Sequence, residues 1–269
     1  ELLNHGSNKL KLKKIISHKL DSEILLSKVL KINREQVLIN LDKNIAIKNI
    51  NKFNRLITRR LRSEPVAYIV NEKEFWSKNF KVDKYTLIPR PETELMVEKL
   101  VKLLKKKTIQ ILDIGTGSGC ILISLLTELD RSKGVGIDIS SKALMVAKSN
   151  ALKHNVSDNA KFKHRAINDF CNKKFDLIVS NPPYIDHNEI KNLDTDIKKY
   201  EPKVALDGGN DGLDVIKKVI YKAKEILKRN GLLAIEIGNG QNIKVSNILI
   251  KNFFKIENKI KDYKSNTRC

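Results

Sequence analysis

The chain has 269 residues, 52 Lys and Arg against 31 Asp and Glu, a formal net charge of +21 at pH 7, and 41% hydrophobic residues. That length suits one large α/β domain or a small domain joined to a medium one, and the apolar share excludes global disorder. No uninterrupted apolar run approaches the roughly 18 residues of a membrane helix, and the amino end lacks a signal-peptide pattern, so a cytoplasmic location is expected. Cys120, Cys171 and Cys269 are odd in number and widely spaced without a CxxC pair. They suggest neither a disulfide framework nor a zinc site, and no metal is expected. Lysine far outnumbers arginine, and isoleucine and asparagine are abundant, as an AT-rich coding sequence would produce. The charge therefore leaves nucleic-acid contact open without requiring it.

Residues 1–67 show helical spacing and no strand alternation: Ile24, Leu25, Leu26, Val29 and Leu30 follow a candidate cap at Asp21, and Phe53, Leu56, Ile57 and Leu61 repeat three to four apart. A small helical domain is expected there. Residues 68–88, with Phe75, Trp76, Phe80 and Tyr85, read as a hairpin linker. Over residues 89–269 apolar strand runs alternate with amphipathic stretches, the pattern of a parallel sheet flanked by helices and hence of an α/β fold. The expected strands are 109–113, 134–139, 161–166, 175–180 and 232–237, with 253–260 as a candidate sixth.

The first strand runs through Asp113 into Gly115, Thr116, Gly117, Ser118 and Gly119 and then an apolar helix, 121–129. Glycines let a backbone approach a ligand closely, and the carboxyl end of a strand is where open α/β sheets bind ligands. The dinucleotide fingerprint would need glycine where Cys120 stands, which disfavours a nicotinamide enzyme. G-x-G-x-G with an upstream acid fits S-adenosylmethionine, which has no pyrophosphate for a helix end to hold. Asp138, at the end of the next strand, sits where such folds bind ribose hydroxyls. After the third strand, Asn168, Asp169 and Phe170 offer a carboxylate and an aromatic face for adenine.

Ser180, Asn181, Pro182, Pro183 and Tyr184 follow the fourth strand. Two prolines remove two backbone donors and leave carbonyl acceptors, and Asn181 adds an amide oxygen. Such a loop can hold a planar NH₂ group by the Asn181 oxygen and the Pro182 carbonyl, with Tyr184 packed on the plane, and present its nitrogen to a sulfonium methyl.

This combination resembles the class I S-adenosylmethionine-dependent methyltransferases that act on exocyclic or amide nitrogens. It is most similar to the HemK/PrmC family of protein-(glutamine-N5) methyltransferases. Further residues carry that likeness: Arg62-Ser63-Glu64-Pro65 through Ile69, Glu74-Phe75-Trp76, Ile88-Pro89-Arg90-Pro91-Glu92-Thr93-Glu94, Glu201-Pro202, Ala205-Leu206 and Gly208-Gly209-Asn210-Asp211-Gly212-Leu213. Asn71 stands where the family usually has glycine, and the tail 261–268 lacks the family's usual glycine and second aspartate. The resemblance implies a Rossmann-like fold and methyl transfer to the glutamine of a Gly-Gly-Gln motif in peptide-chain release factors. Asn181, Pro182 and Tyr184 would be catalytic and Asn181 to Tyr184 would bind substrate. Asp113, Gly115 to Gly119, Asp138, Phe170 and Asn181 would bind cofactor. No metal, covalent intermediate or dedicated general base is implied, and the helical front domain would dock the protein substrate. An N-methyltransferase acting on a nucleic-acid base is the alternative. The chain opens on Glu1 and stops at Cys269, where the family's last antiparallel strand should begin; the expectation is either that this strand is missing and a sheet edge is exposed, or that the chain is a piece of a longer, possibly fused polypeptide.

Overall fold

The computed structural model describes residues 1–39, 44–169 and 174–269. The chain divides into two compact units, residues 1–72 with 194–200, and residues 73–193 with 201–269.

In the first unit the helical spacing is realised as α1 (Leu2–Leu12), α2 (His18–Leu30), α3 (Arg34–Ile39), α4 (Ile47–Leu61) and α5 (Val66–Val70). Their apolar faces bury Leu10, Leu25, Phe53 and Ile57 in a common core. Asp21, expected as a cap, lies inside α2, and Ser17 holds the cap position. The Asp21 carboxylate is buried and accepts from Arg60 Nε at 2.7 Å. A buried carboxylate requires such a partner, and this pair ties α2 to α4. Asn71 ends α5 at φ 56°, in the left-handed region that asparagine tolerates better than most residues, which is how it stands in for glycine. The helix Thr195–Tyr200 (α9 in chain order) belongs to this unit, and the Tyr200 hydroxyl donates to the Arg62 carbonyl at 2.9 Å.

A hairpin of β1 (Glu72–Phe75) and β2 (Lys78–Lys81) leads into the second unit. Its two loop residues, Trp76 and Ser77, both have φ 52°, the twist that a two-residue hairpin requires. The alternating pattern then continues as α6 (Pro91–Leu104), β3 (Gln110–Ile114), α7 (Cys120–Glu128), β4 (Lys133–Asp138), α8 (Ser141–Lys153), β5 (Ala160–His164), β6 (Phe175–Ser180), α10 (Asp214–Ile226), β7 (Leu227–Ile235) and α11 (Asn242–Lys251). The five strands β3 to β7 are parallel in the order β5-β4-β3-β6-β7. Neighbours along a strand point to opposite faces: Ile111, Leu177 and Val179 join a core with α6 and α7, and Leu112 and Ile178 join one with α10. The α/β fold with a mostly parallel sheet is as expected.

The sixth strand at 253–260 does not form. Phe253 turns at φ 66° and is 87% exposed, and among the described residues the segment joins neither sheet; its last residue, Ile260, bonds instead to the backbone of Arg268 and Cys269. Alternation without a ladder partner leaves backbone groups unpaired, so pattern alone cannot make a strand. Among the described residues no helix is long and apolar enough to cross a membrane.

Candidate active site

The sheet order reverses between β3 and β6, and ligands of such sheets bind at the carboxyl ends beside that switch point. There β3 runs into the turn from Gly115 to Gly119, whose three glycines have φ of 72°, 54° and 81°. A Cβ on Gly119 would lie 2.9 Å from Ile123 Cδ1 and 3.2 Å from Ala147 Cβ, so the bare backbone also lets the turn pack on α8. A Cβ on Gly115 would meet nothing within 4 Å, because the space over the turn is open.

Asp138 braces this turn from the end of β4. Its Oδ2 accepts from Gly117 N at 2.9 Å and its Oδ1 from Ser140 N at 2.8 Å. Burial raises its pKa, while the N–H groups of Ser140, Gly117 and Ile139 hold it down. Asp113 lies behind the turn, fully buried, with Oδ2 accepting from Thr116 Oγ1 at 2.6 Å. Burial pushes its pKa up to about 7; the Thr116 bond opposes that rise and the Asp138 charge adds to it.

A carboxyl whose folded pKa lies above its unfolded value stabilises the protein fully only below the unfolded value, near pH 4. The contribution is lost as pH rises toward 7, at up to roughly 1.4 kcal/mol per pH unit. The variant Asp113→Asn is therefore expected to gain on the wild type in urea midpoint from about pH 4 to about pH 7 and to hold that gain above it. Parallel pH profiles for the two proteins would contradict this.

Beyond Asp138, the Ser140 hydroxyl caps α8 by accepting from Ala143 N at 3.1 Å. Ser140→Ala should cost about 1 kcal/mol, read as a lower urea midpoint at unchanged slope.

On the other side of the switch point, Ser180 Oγ donates to the Ile114 carbonyl at 2.8 Å and so fixes the start of the Asn-Pro-Pro-Tyr loop. Asn181 Nδ2 donates to Thr93 Oγ1 at 3.3 Å. The Tyr184 carbonyl accepts from Gln241 Nε2 at 2.9 Å, and its hydroxyl donates to Glu236 Oε1 at 3.3 Å. Burial, with the Glu236 charge adding, pushes the Tyr184 pKa up to about 12. A Cβ on Gly212 would come 2.3 Å from the Tyr184 carbonyl oxygen. The glycine loop at 208–212 is thus a close-packed backing for the proline loop. The joint order of the sequence motifs acquires a cause: Arg90 Nη2 donates to the buried Glu201 carboxylate at 2.6 Å, and Ile88 N donates to the same group at 3.3 Å.

Between the two loops lies a cleft of about 440 Å³. Of the residues singled out from the sequence, Gly115, Thr116, Gly117, Ser118, Asp138, Asn181, Pro182 and Pro183 line it. Asp113, Gly119 and Tyr184 are not among the lining residues, and Phe170 lies outside the described residues. Arg90, Thr93, Tyr85, Arg165 and Cys120 line it as well. Burial pushes the Cys120 thiol up to about 12, so it carries no thiolate at neutral pH.

Sequence reasoning missed Glu236 and Asn150. Glu236 is 1% exposed, and its signal is an acid inside the apolar run from Leu232 to Ile237. Asn150 gave no signal, yet its side chain donates to Ser118 O and Lys81 O and accepts from Lys81 N, joining the turn, α8 and the hairpin.

Comparison with known proteins adds the family. Residues 1–70 match the model of the PrmC N-terminal domain, and residues 105–239 match that of a methyltransferase domain. The release factor glutamine methyltransferase of Buchnera aphidicola subsp. Schizaphis graminum is 44% identical over 249 residues, which cover 92% of this chain and 90% of that protein. The chain belongs to the release factor glutamine methyltransferase family. A bifunctional methyltransferase of Rickettsia typhi is 40% identical over 288 residues, covering all of this chain but 56% of the relative, so the chain spans about half the length of such longer family relatives. The hMettl16 catalytic domain superposes with a TM-score of 0.54 at 16% identity, covering 70% of this chain and 72% of its own, and shares the class I methyltransferase fold. In this family member the glycine turn, the braced acid and the Asn-Pro-Pro-Tyr loop meet in one cleft.

Proposed function

We propose that this protein transfers a methyl group from S-adenosylmethionine to the side-chain amide nitrogen, N5, of the glutamine in the Gly-Gly-Gln motif of peptide-chain release factors, and so tunes translation termination in the cytoplasm. The observation that carries the reading is the shared cleft: Asn181 and Pro182 face the same space as the glycine turn and Asp138. Family membership supports the choice of acceptor.

The open space over Gly115 and the acid at the end of β4 suit a nucleoside-bearing group. Gly115, Thr116, Gly117, Ser118 and Asp138 would hold it, with Asp113 and Gly119 shaping the turn from behind and Phe170 offered to adenine. Bound there, S-adenosylmethionine supplies an electrophilic methyl.

An amide nitrogen is a poor nucleophile because its lone pair is delocalised. The task of Asn181 Oδ1 and the Pro182 carbonyl is therefore to accept from the two NH₂ protons and hold the nitrogen in line. No general base is needed, because the proton leaves after transfer, when the methylated amide is strongly acidic. Tyr184 supports the loop through Glu236 and Gln241. We further propose that residues 1–67 dock the protein substrate, that 68–88 link, and that 89–269 carry the reaction. The net charge of +21 suits an acidic face on that substrate.

Methyl-labelled cofactor with a wild-type release factor, the same factor with its motif glutamine changed to alanine, and tRNA tests this. Label on the wild-type factor alone is expected; label on tRNA alone would overturn the reading.

A further inference from the structure

Asn181, Thr93, Glu236 and Tyr184 form one network in the second unit. Thr93 is 2% exposed and Glu236 1%. The Thr93 hydroxyl donates to Glu236 Oε2 at 2.5 Å and the Tyr184 hydroxyl donates to Glu236 Oε1 at 3.3 Å, so both carboxyl oxygens act as acceptors. Burial raises the Glu236 pKa; the Thr93 bond, the facing Arg268 and the Tyr184 bond lower it, and Glu92 raises it again.

A hydroxyl carries a single proton. With that proton given to Glu236, the Thr93 oxygen can meet Asn181 only as an acceptor, and Asn181 Nδ2 donates to it at 3.3 Å. The nitrogen of the Asn181 amide is thereby committed to Thr93. Without Glu236, the Thr93 proton could turn to Asn181 instead. The amide would then rotate to an almost isosteric alternative with NH₂ on the other branch. Against a substrate NH₂, that alternative sets donor against donor.

The geometry points to Glu236, acting through Thr93, as a positioning residue that fixes which way the Asn181 amide faces and so commits the cleft to a hydrogen-donating NH₂ acceptor over a carboxylate. The identity of that acceptor rests on the proposed function; the orientation of Asn181 does not.

Two readouts keep these apart. In full-length protein labelled with ¹⁵N-asparagine, the Asn181 amide signal is assigned by its loss in Asn181→Asp. One of its protons should exchange slowly in the wild type, lose that protection in Thr93→Val and Glu236→Gln, and keep it in Thr93→Ser. In the methyl-transfer assay, Thr93→Val should lower kcat by about 10²-fold with cofactor affinity unchanged, and Thr93→Ser should restore it. The wild type should reject a release factor whose motif glutamine is changed to glutamate, and Thr93→Val should narrow that preference. If valine disturbs folding, seen as lost cofactor binding, the near-isosteric Glu236→Gln and Thr93→Ser carry the test. An Asn181 proton equally protected in Glu236→Gln and the wild type would overturn the proposal. A wild type that labels no glutamine would overturn the acceptor instead, while the Asn181 signal still decides the network.

Discussion

Asn181→Ala is expected to lower methyl transfer to a release factor by about 10³-fold while leaving S-adenosylmethionine binding within a few-fold of the wild type. Removing one preorganised hydrogen-bonding group from a reacting centre typically costs about 10²–10³ in rate. Here the loss is compounded, because the Asn181 oxygen is one of only two acceptors proposed to hold the amide in line. The cofactor side should be spared: the glycine turn is braced by Asp138 through Gly117 N and by Asn150 through Ser118 O, and neither contact involves Asn181. Aspartate at 181 should be no better, since its second oxygen would face the Thr93 hydroxyl whose proton belongs to Glu236. Single-turnover rates with calorimetric cofactor binding separate the two effects. A variant that keeps more than about a tenth of the wild-type rate would remove Asn181 from the reaction as described.

Asp138→Ala is expected to produce the complementary defect, weakening S-adenosylmethionine binding by about 10²-fold. Its carboxylate holds Gly117 N and Ser140 N and still faces the cleft. Bonds to a charged group are worth roughly 1.5–3 kcal/mol each, and the alanine variant leaves the Gly117 N–H without its partner. About 10² in affinity corresponds to about 2.7 kcal/mol. Asparagine at this position should recover only part, because its NH₂ must point at one of two backbone donors. Titration calorimetry reads the dissociation constant directly, and an unchanged value in Asp138→Ala would take the acid out of the cofactor site.

The fold was legible where local pattern and tertiary need coincide. The run 175–180 is β6 residue for residue, because a central parallel strand is buried on both faces, and Phe175, Leu177, Ile178 and Val179 supply the apolar side chains for them. β7 starts five residues before its expected start because Leu227 pairs with Phe175; Lys228 to Gly231 then bulge out with Asn230 at φ 62°, and regular pairing resumes at the expected Leu232, opposite Leu177. At 253–260 the alternation was present but the ladder was not.

The site divides in the same way. The glycine turn, Asp138 and the proline loop were readable because each is a contiguous motif with its own stereochemical demand. The network beneath them was not, because its meaning lies in pairings across the chain: Thr93 with Glu236 are 143 residues apart, Asn181 with Thr93 88, and Lys81 with Asn150 69. The segment from Ile88 to Glu94 opens α6 as expected for a proline at a helix start. What sequence could not show is that Arg90 also grips Glu201 and that Thr93 faces Asn181.

Methyl transfer to a glutamine side-chain nitrogen, as proposed for this cleft, is tested most directly by incubating the full-length protein with S-adenosylmethionine and an unmethylated release factor and then mapping the Gly-Gly-Gln peptide by mass spectrometry. One methyl group on the glutamine side-chain nitrogen is expected, present with the wild type and absent with Asn181→Ala. An unmodified glutamine, with the methyl group found on another residue or on RNA added to the same mixture, would contradict it.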